Sequence, residues 1–561
     1  MKEAKASFNL VDEQWIKVKT LTGETVELSL LELFRDAHKL KSLANDLPTQ
    51  DFAILRVLLA ILQRSIVDRL GEYEYPSEAW ADLWDAGKMP IGEIENYLRK
   101  WRHRFDLFDE EQPFMQVAGM RATNGSVSEI KKLISDIPDG LPLFSLRSIE
   151  NLKTIDYAEA ARWLIHVHAF DTSGIKTGVT GDSMVKGGKS YPIGTGWAGG
   201  LGGILLDGKN IADTLMLNLC LCHDCRDDQD EFIDDVYDLP VWEQDQKTPG
   251  DDHRNPLGYA DIYTWQSRRV LLKESAGKVA GVVLTNGDKL EAYNKRLYEP
   301  MTPWRRSGPQ EKRLKISPVY LPLQHRSDRA MWRGLTSILP SREGQNNEQY
   351  VIPGNVLWAG FLASQEGGRV LRDDYKVTMH AIGMEYGVQS STVVELINDT
   401  LRLKSVLLSP EGADAVDSAK RCMAATDNAV AALGVLAEQV ELSAGLDSEL
   451  ATGPRGAIMA EAYYELDLAF RTWLSNLEPN GLLEQESAWY AQARQIIDGL
   501  ARRVVDDASP IAIRGKLIKK KIKGKETKKW LSVGKAESRF KMVLNKELPI
   551  EVKSQRGSEV V

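Results

Sequence analysis

Cys220, Cys222, His223 and Cys225 crowd four metal donors into six residues, and zinc is the ion that thiolate and imidazole together would hold. Such a site usually draws further ligands from a second, distant knuckle, yet only Cys422 remains elsewhere in the chain. Leu215-Met216-Leu217-Asn218-Leu219 ahead of the cluster reads as helix, which would fan the four side chains around an axis. The reading is therefore structural thiols and no metal. His223-Asp224, with the carboxylates from Asp227 to Asp235, opens a rival: a metal-dependent hydrolase or nuclease. That chemistry needs several more ligands fixed on rigid elements. His166 and His168, two apart on an expected helix, would not share a face. The acidic run reads as a solvated loop, and no catalytic residue is assigned.

Gly187-Gly188-Lys189-Ser190 has the tail of a phosphate-binding loop, but position 183 is serine where that motif needs glycine, and no apolar strand leads in. Nucleotide hydrolysis is thereby disfavoured, and no cofactor is expected. No Gly-x-Ser-x-Gly or His-Glu-x-x-His pattern occurs. Glycine is nevertheless dense here, twelve in the thirty-five residues from 174 to 208. Such density predicts a long loop system without regular elements, its backbone closely approaching a ligand or groove. From Arg514 to Lys529 stand nine basic residues and one acid, Glu526. The run can neutralise phosphates without reading sequence, or be a solvated loop between helices.

The elements that must carry these residues follow from patterning. Trp15 to Leu28 alternates like paired strands around Gly23, and Ser29 with Glu32 forms a capping box for a first helix. Pro48 to Arg69 is apolar nearly all round and predicts a buried helix. Val279–Leu284 reads as a strand ending at the turn signal Asn286-Gly287. After about residue 410 a seam of Val416, Ala419, Met423, Thr426, Val430, Leu433, Ala437 and Val440 repeats at three- and four-residue steps. Helices expected near 456–477, 487–508 and 533–548 complete four in a row with no strand between them. The fold class is α+β: a large irregular mixed α/β N-terminal domain, 1–405, then a C-terminal four-helix bundle, 410–548, and a solvated tail, 549–561. At 561 residues, with 43% hydrophobic residues and a net charge of −9, the chain has core for two domains and carries its basic character locally. No apolar run reaches the ~18 residues of a membrane span, and Met1–Lys5 opens no signal peptide. A cytoplasmic protein is expected.

Several blocks carry a resemblance. Phe8-Asn9-Leu10-Val11-Asp12-Glu13-Gln14-Trp15-Ile16-Lys17-Val18 resembles the N-terminal signature of the CasA family, large subunits of the type I-E CRISPR surveillance complex Cascade. Leu47-Pro48-Thr49-Gln50-Asp51, Glu111-Gln112-Pro113-Phe114-Met115-Gln116 and Gly208-Lys209-Asn210-Ile211 are similar to further family blocks and fall in family order. The resemblance implies a non-catalytic subunit. It would recognise the protospacer-adjacent motif in double-stranded DNA, help open the strands and dock a helicase-nuclease, while guide RNA reads the rest. Its partners would be the other Cascade proteins, the CRISPR RNA and target DNA. The family's groove-entering glycine loop resembles Pro192-Ile193-Gly194-Thr195-Gly196. Its lysine corresponds to Lys289, its glutamine wedge to Gln365, and the aromatic of its mobile loop to Phe144. Lys519, Lys520, Lys521 and Lys523 are the expected sequence-independent contacts to the DNA backbone.

Overall fold

Alternation at the N-terminus becomes a small sheet. Ile16–Thr20 lies between Thr25–Leu28 and Leu40–Leu43, with Ile16 opposite Leu28. Ser29 caps the helix Leu30–Asp36 with the reciprocal Ser29–Glu32 bonds of a capping box, worth about 1 kcal/mol. The structure is a computed structural model that describes residues 6–135, 152–222, 237–250, 253–340, 342, 349–447, 449–522 and 525–550, with backbone alone from 518 to 529. The long apolar stretch forms the helix Pro48–Ser65, in which every residue from Phe52 to Gln63 is buried. Burying Arg56 and Gln63 there requires partners, and the chain supplies them: Glu299 for Arg56 and Asp238 for Gln63. The helices Tyr157–Phe170 and Tyr259–Tyr263 pack against this central rod.

Two other sheets frame the glycine-rich segment. Lys376–Tyr386 lies between Val393–Lys404 and Gly203–Asp207. That last strand corrects the expectation that glycine density excludes a regular element. Gly203 is needed for close approach, since a Cβ there would lie 2.8 Å from the Ile382 carbonyl oxygen and 3.0 Å from the Phe52 ring, while Ile204-Leu205-Leu206 supplies strand-forming side chains. Arg268–Ser275 and Lys278–Asn286 form an antiparallel hairpin. Its turn is Ala276-Gly277, both at positive φ (53° and 77°), as a tight hairpin demands. Asn286-Gly287 ends the strand as expected and docks on the backbone of residues 266–268. The helix Ile211–Asn218 stops before the cysteines, so Cys220 and Cys222 are not arrayed around a helix as expected; both are buried in non-helical backbone.

The bundle seam holds in full. Every seam residue from Val416 to Val440 is buried in the helix Ala413–Ala444. Around it pack Thr452–Ser475, Leu482–Asp506 and Val533–Glu547. The second helix begins four residues earlier than expected because Pro454 fits the first turn of a helix, where no N–H bond is lost. The expectation of no strand among the bundle helices fails. Lys516–Ile522 pairs with Lys525–Leu531, with Leu517 opposite Trp530 and Lys519 opposite Lys528 in the register. Leu517, Ile518 and Ile522 supply β-forming residues that the lysines mask in a charge count. One contiguous apolar core runs from Leu10 to Leu548 through body and bundle alike.

Candidate nucleic-acid interface

The glycine loop is fastened at both flanks. On its N-terminal side, Asn286 Nδ2, at the end of the strand Lys278–Asn286, donates to Ser190 Oγ at 3.1 Å and to the Tyr191 carbonyl at 2.8 Å. On the C-terminal side, Gly196 N donates to the Asp171 carbonyl at 2.8 Å and Trp197 N to Ser267 Oγ at 3.0 Å. The buried Trp197 indole donates to Glu299 Oε2 at 2.7 Å, and the same carboxylate takes both terminal nitrogens of Arg56 at 2.9 and 2.8 Å. A buried carboxylate with three charge-assisted or indole donors is fully satisfied and rigid. Between these fastenings the guanidinium of Arg268 donates to the Gly194 carbonyl at 2.9 Å.

The two named glycines do different work. Gly194 has φ +112°, a conformation that side-chain-bearing residues rarely adopt, and nothing lies within 4 Å of where its Cβ would stand. Gly196 is buried, and a Cβ there would meet the backbone of Ala169 and Phe170 at 2.5 to 2.6 Å. Gly194 thus stands in open space, whereas Gly196 is a packing glycine. Thr195 between them is half-buried, and Tyr191 and Pro192 are exposed.

Lys289 springs from the same foundation. Gly287 N donates to the Ser267 carbonyl and Asp288 N to the Gln266 carbonyl. Asp288 is buried beside Arg269 and Lys247, while the side chain of Lys289 is 40% exposed and pairs with Glu291 at 2.7 Å. The Lys289 hydrogen bond holds the Glu291 carboxyl below its ordinary range. An exposed pair of this kind is worth about 0–1 kcal/mol, so the ammonium leaves it at little cost.

Gln365 is exposed in the turn that follows the helix Gly354–Ala363. Ser364 Oγ donates to the Phe361 carbonyl and accepts from Gly367 N, and Gly368 N donates to the Gln365 carbonyl. Gln365 N itself donates to Glu411 Oε1 at 2.8 Å, at the threshold of the bundle. The structure therefore brings Lys289 and the glycine loop onto one foundation and sets Gln365 on another. Phe144, Lys523, His223, Asp224, Cys225 and the acids from Asp227 to Asp235 lie outside the described residues. Lys519, Lys520 and Lys521 lie on the strand Lys516–Ile522. Among the described residues, no group of three or more His, Cys, Asp or Glu could hold a metal ion, and no helix is long and apolar enough to cross a membrane.

The fasteners escaped sequence reasoning. Arg268, Asp171, Asn286, Arg56 and Glu299 reach their partners across 74 to 243 positions. The one local signal was Arg268-Arg269 at the head of an apolar strand, two charges where burial was to be expected.

An irregular α/β body followed by a four-helix bundle is the architecture of a class of CRISPR-associated proteins. The Cse1 structure from Thermobifida fusca matches with a TM-score of 0.84 and 36% identity, covering 97% of this chain and 98% of that one. Cse1 from Acidimicrobium ferrooxidans matches at 0.77 and 28%, covering 97% and 99%. The CasA/Cse1 protein of Thermus thermophilus is 29% identical over 345 residues, and the match spans 60% of this chain and 61% of that relative. The sequence pattern of the CRISPR-associated protein Cse1 family matches residues 9–500, and the chain belongs to that family.

Proposed function

We propose that this chain is the large, non-catalytic subunit of a CRISPR RNA-guided surveillance complex and that it reads the protospacer-adjacent motif in double-stranded DNA. The observation that carries the reading is the glycine loop. Gly194 is held in a conformation suited to glycine, in open space, by a foundation of buried polar contacts. A loop built only to connect would not need such fixing. In this reading Gly194 and Thr195 form the backbone element that meets the groove, Gly196 anchors it by packing on Ala169, and Lys289 exchanges Glu291 for acceptors on base edges. Gln365 occupies the space beneath the motif and interrupts stacking at the first target pair. Phe144 serves both DNA association and docking in the complex. Lys519, Lys520, Lys521 and Lys523 neutralise backbone phosphates, and the assembled surface receives the helicase-nuclease.

The test is to reconstitute the complex with its guide RNA and measure target affinity across a library of adjacent trinucleotides. The wild-type protein should rank them steeply. Gly194→Val should flatten that ranking by about 1–3 kcal/mol while leaving background binding in place. A ranking unchanged by both Gly194→Val and Lys289→Ala would remove motif reading from this loop and lysine.

A further inference from the structure

Arg268 is wholly buried and makes more hydrogen bonds than any loop needs for simple packing. Its Nε donates to Asp171 Oδ2, Nη1 to the Ser267 carbonyl at 2.8 Å, and Nη2 is shared among the carbonyls of Asp171, Thr172 and Gly194 at 3.3, 3.0 and 2.9 Å. It thus ties the end of the helix Tyr157–Phe170, the head of the strand Arg268–Ser275 and the middle of the glycine loop. Lys176 Nζ holds the same Asp171 oxygen at 2.6 Å. Burial alone would raise the Asp171 carboxyl, but the two cations keep it below its ordinary range.

The peptide bond turns this into an aiming device. In a planar trans peptide the carbonyl and the following N–H point in opposite directions. The Gly194 carbonyl is drawn inward to a buried guanidinium, so the N–H of Thr195, on the same peptide, is directed away from it. Among the described residues, no protein acceptor takes the N–H of Ile193, Gly194 or Thr195. A backbone donor without an intramolecular partner in a half-buried loop is open to an outside acceptor, water in the free protein and a nucleic-acid oxygen or ring nitrogen in the complex.

Resting on the motif-reading proposal, we infer that Arg268 is a positioning residue: it holds the Gly194 carbonyl inward and thereby aims Thr195 N–H at a hydrogen-bond acceptor on a base edge of the DNA. Lysine cannot substitute, because an ammonium is a point charge without the fork that spans several acceptors.

The experiment uses the assembled complex carrying wild-type protein, R268K, G194A or both changes. It measures affinity for a duplex with the preferred motif and for one without it, with thermal melting of each complex alongside. R268K should lower the affinity ratio on the order of tenfold and leave binding to the motif-free duplex unchanged. The double variant should be no worse than the weaker single, because both changes act through one peptide. R268K that assembles and keeps the wild-type ratio overturns the inference. Equal losses on both duplexes also overturn it, since they would place the acceptor on a phosphate. If G194A collapses the ratio and R268K does not, the motif-reading proposal stands and only Arg268's part falls. If neither changes the ratio of a complex that still selects a motif, the motif-reading proposal falls too. Should R268K fail to assemble, K176M gives the second arm. It removes the competing cation and keeps the Arg268 fork, so the wild-type ratio is expected; a loss as large as that of G194A overturns the inference.

Discussion

His166 and His168 share the helix Tyr157–Phe170 and are both buried, on different partners. His166 Nε2 meets Thr49 Oγ1 at 2.9 Å, and His168 Nε2 meets the Met115 carbonyl at 2.8 Å, so His168 carries its proton on Nε2. Burial pushes the two imidazoles down to about 3 and about 4. The unfolded chain would take up protons near pH 6.5 while the folded one does not, so stability is lost as pH falls below that value. Each such group contributes about 1.4 kcal/mol per pH unit near pH 5, and Asp51 opposes them there, because burial pushes its carboxyl up to about 6 and the folded chain takes up that proton first. His168→Asn should make the dependence of denaturant midpoints on pH less steep by about that one-group amount; a slope unaffected by the substitution would mean that His168 is not buried neutral. Gln365 makes a different kind of prediction at the same scale. Gln365→Ala should leave initial motif binding intact and slow formation of the RNA–DNA heteroduplex, because unstacking one step costs a few kcal/mol. A target pre-opened by mismatches beside the motif should restore the rate, and failure of that rescue would take Gln365 out of strand opening.

Elements differ in how plainly the sequence announced them. The first bundle helix was legible because its seam repeats with a helical period over eight positions, and periodicity survives ignorance of the partners. The capping box at Ser29 was legible because both of its bonds are local. The strand pair at 516–531 was not, since lysines flank its few β-forming residues and a charge count sees only a loop. Its register sets Lys519 opposite Lys528 and Lys521 opposite Glu526. Replacing Lys519, Lys520, Lys521 and Lys523 by glutamine should weaken binding of the complex to every DNA sequence alike. The log–log salt slope should fall by roughly one for each phosphate that is no longer neutralised. An unaltered slope would make the strand pair a solvated feature of the bundle.

At the scale of the molecule, body and bundle are joined by more than a linker. Trp332, wholly buried, stacks on Phe470 with centroids 4.4 Å apart and donates its indole N–H to Asp467 at 2.8 Å. Arg333 reaches Asp427 at 3.0 Å and lies over the Tyr463 ring, while Arg471 pairs with both Asp467 and Asp399. None of this was readable beforehand, because contacts across 94 and 135 positions leave no periodicity behind. Trp332→Ala should cost about 3–5 kcal/mol, read as a lowered melting temperature. It should also bring earlier proteolytic cleavage near residue 410, where the division at 405–410 is proposed. A variant that melts like the wild type would show that the stack contributes little to the joint.

The fastened loop also bears on how such a protein changes over generations. At Gly196 any other residue drives a side chain into the Ala169 backbone, and at Gly194 any other residue is conformationally strained. Tyr191, Pro192 and Thr195 carry no comparable obligation, and the first two are exposed. Substitution is thereby sterically cheapest at a few rim positions, while Arg268, Asn286 and Trp197 hold the frame. On the motif-reading proposal, changes at the rim would alter what surrounds the backbone contact one codon at a time, each step starting from a loop that is already folded.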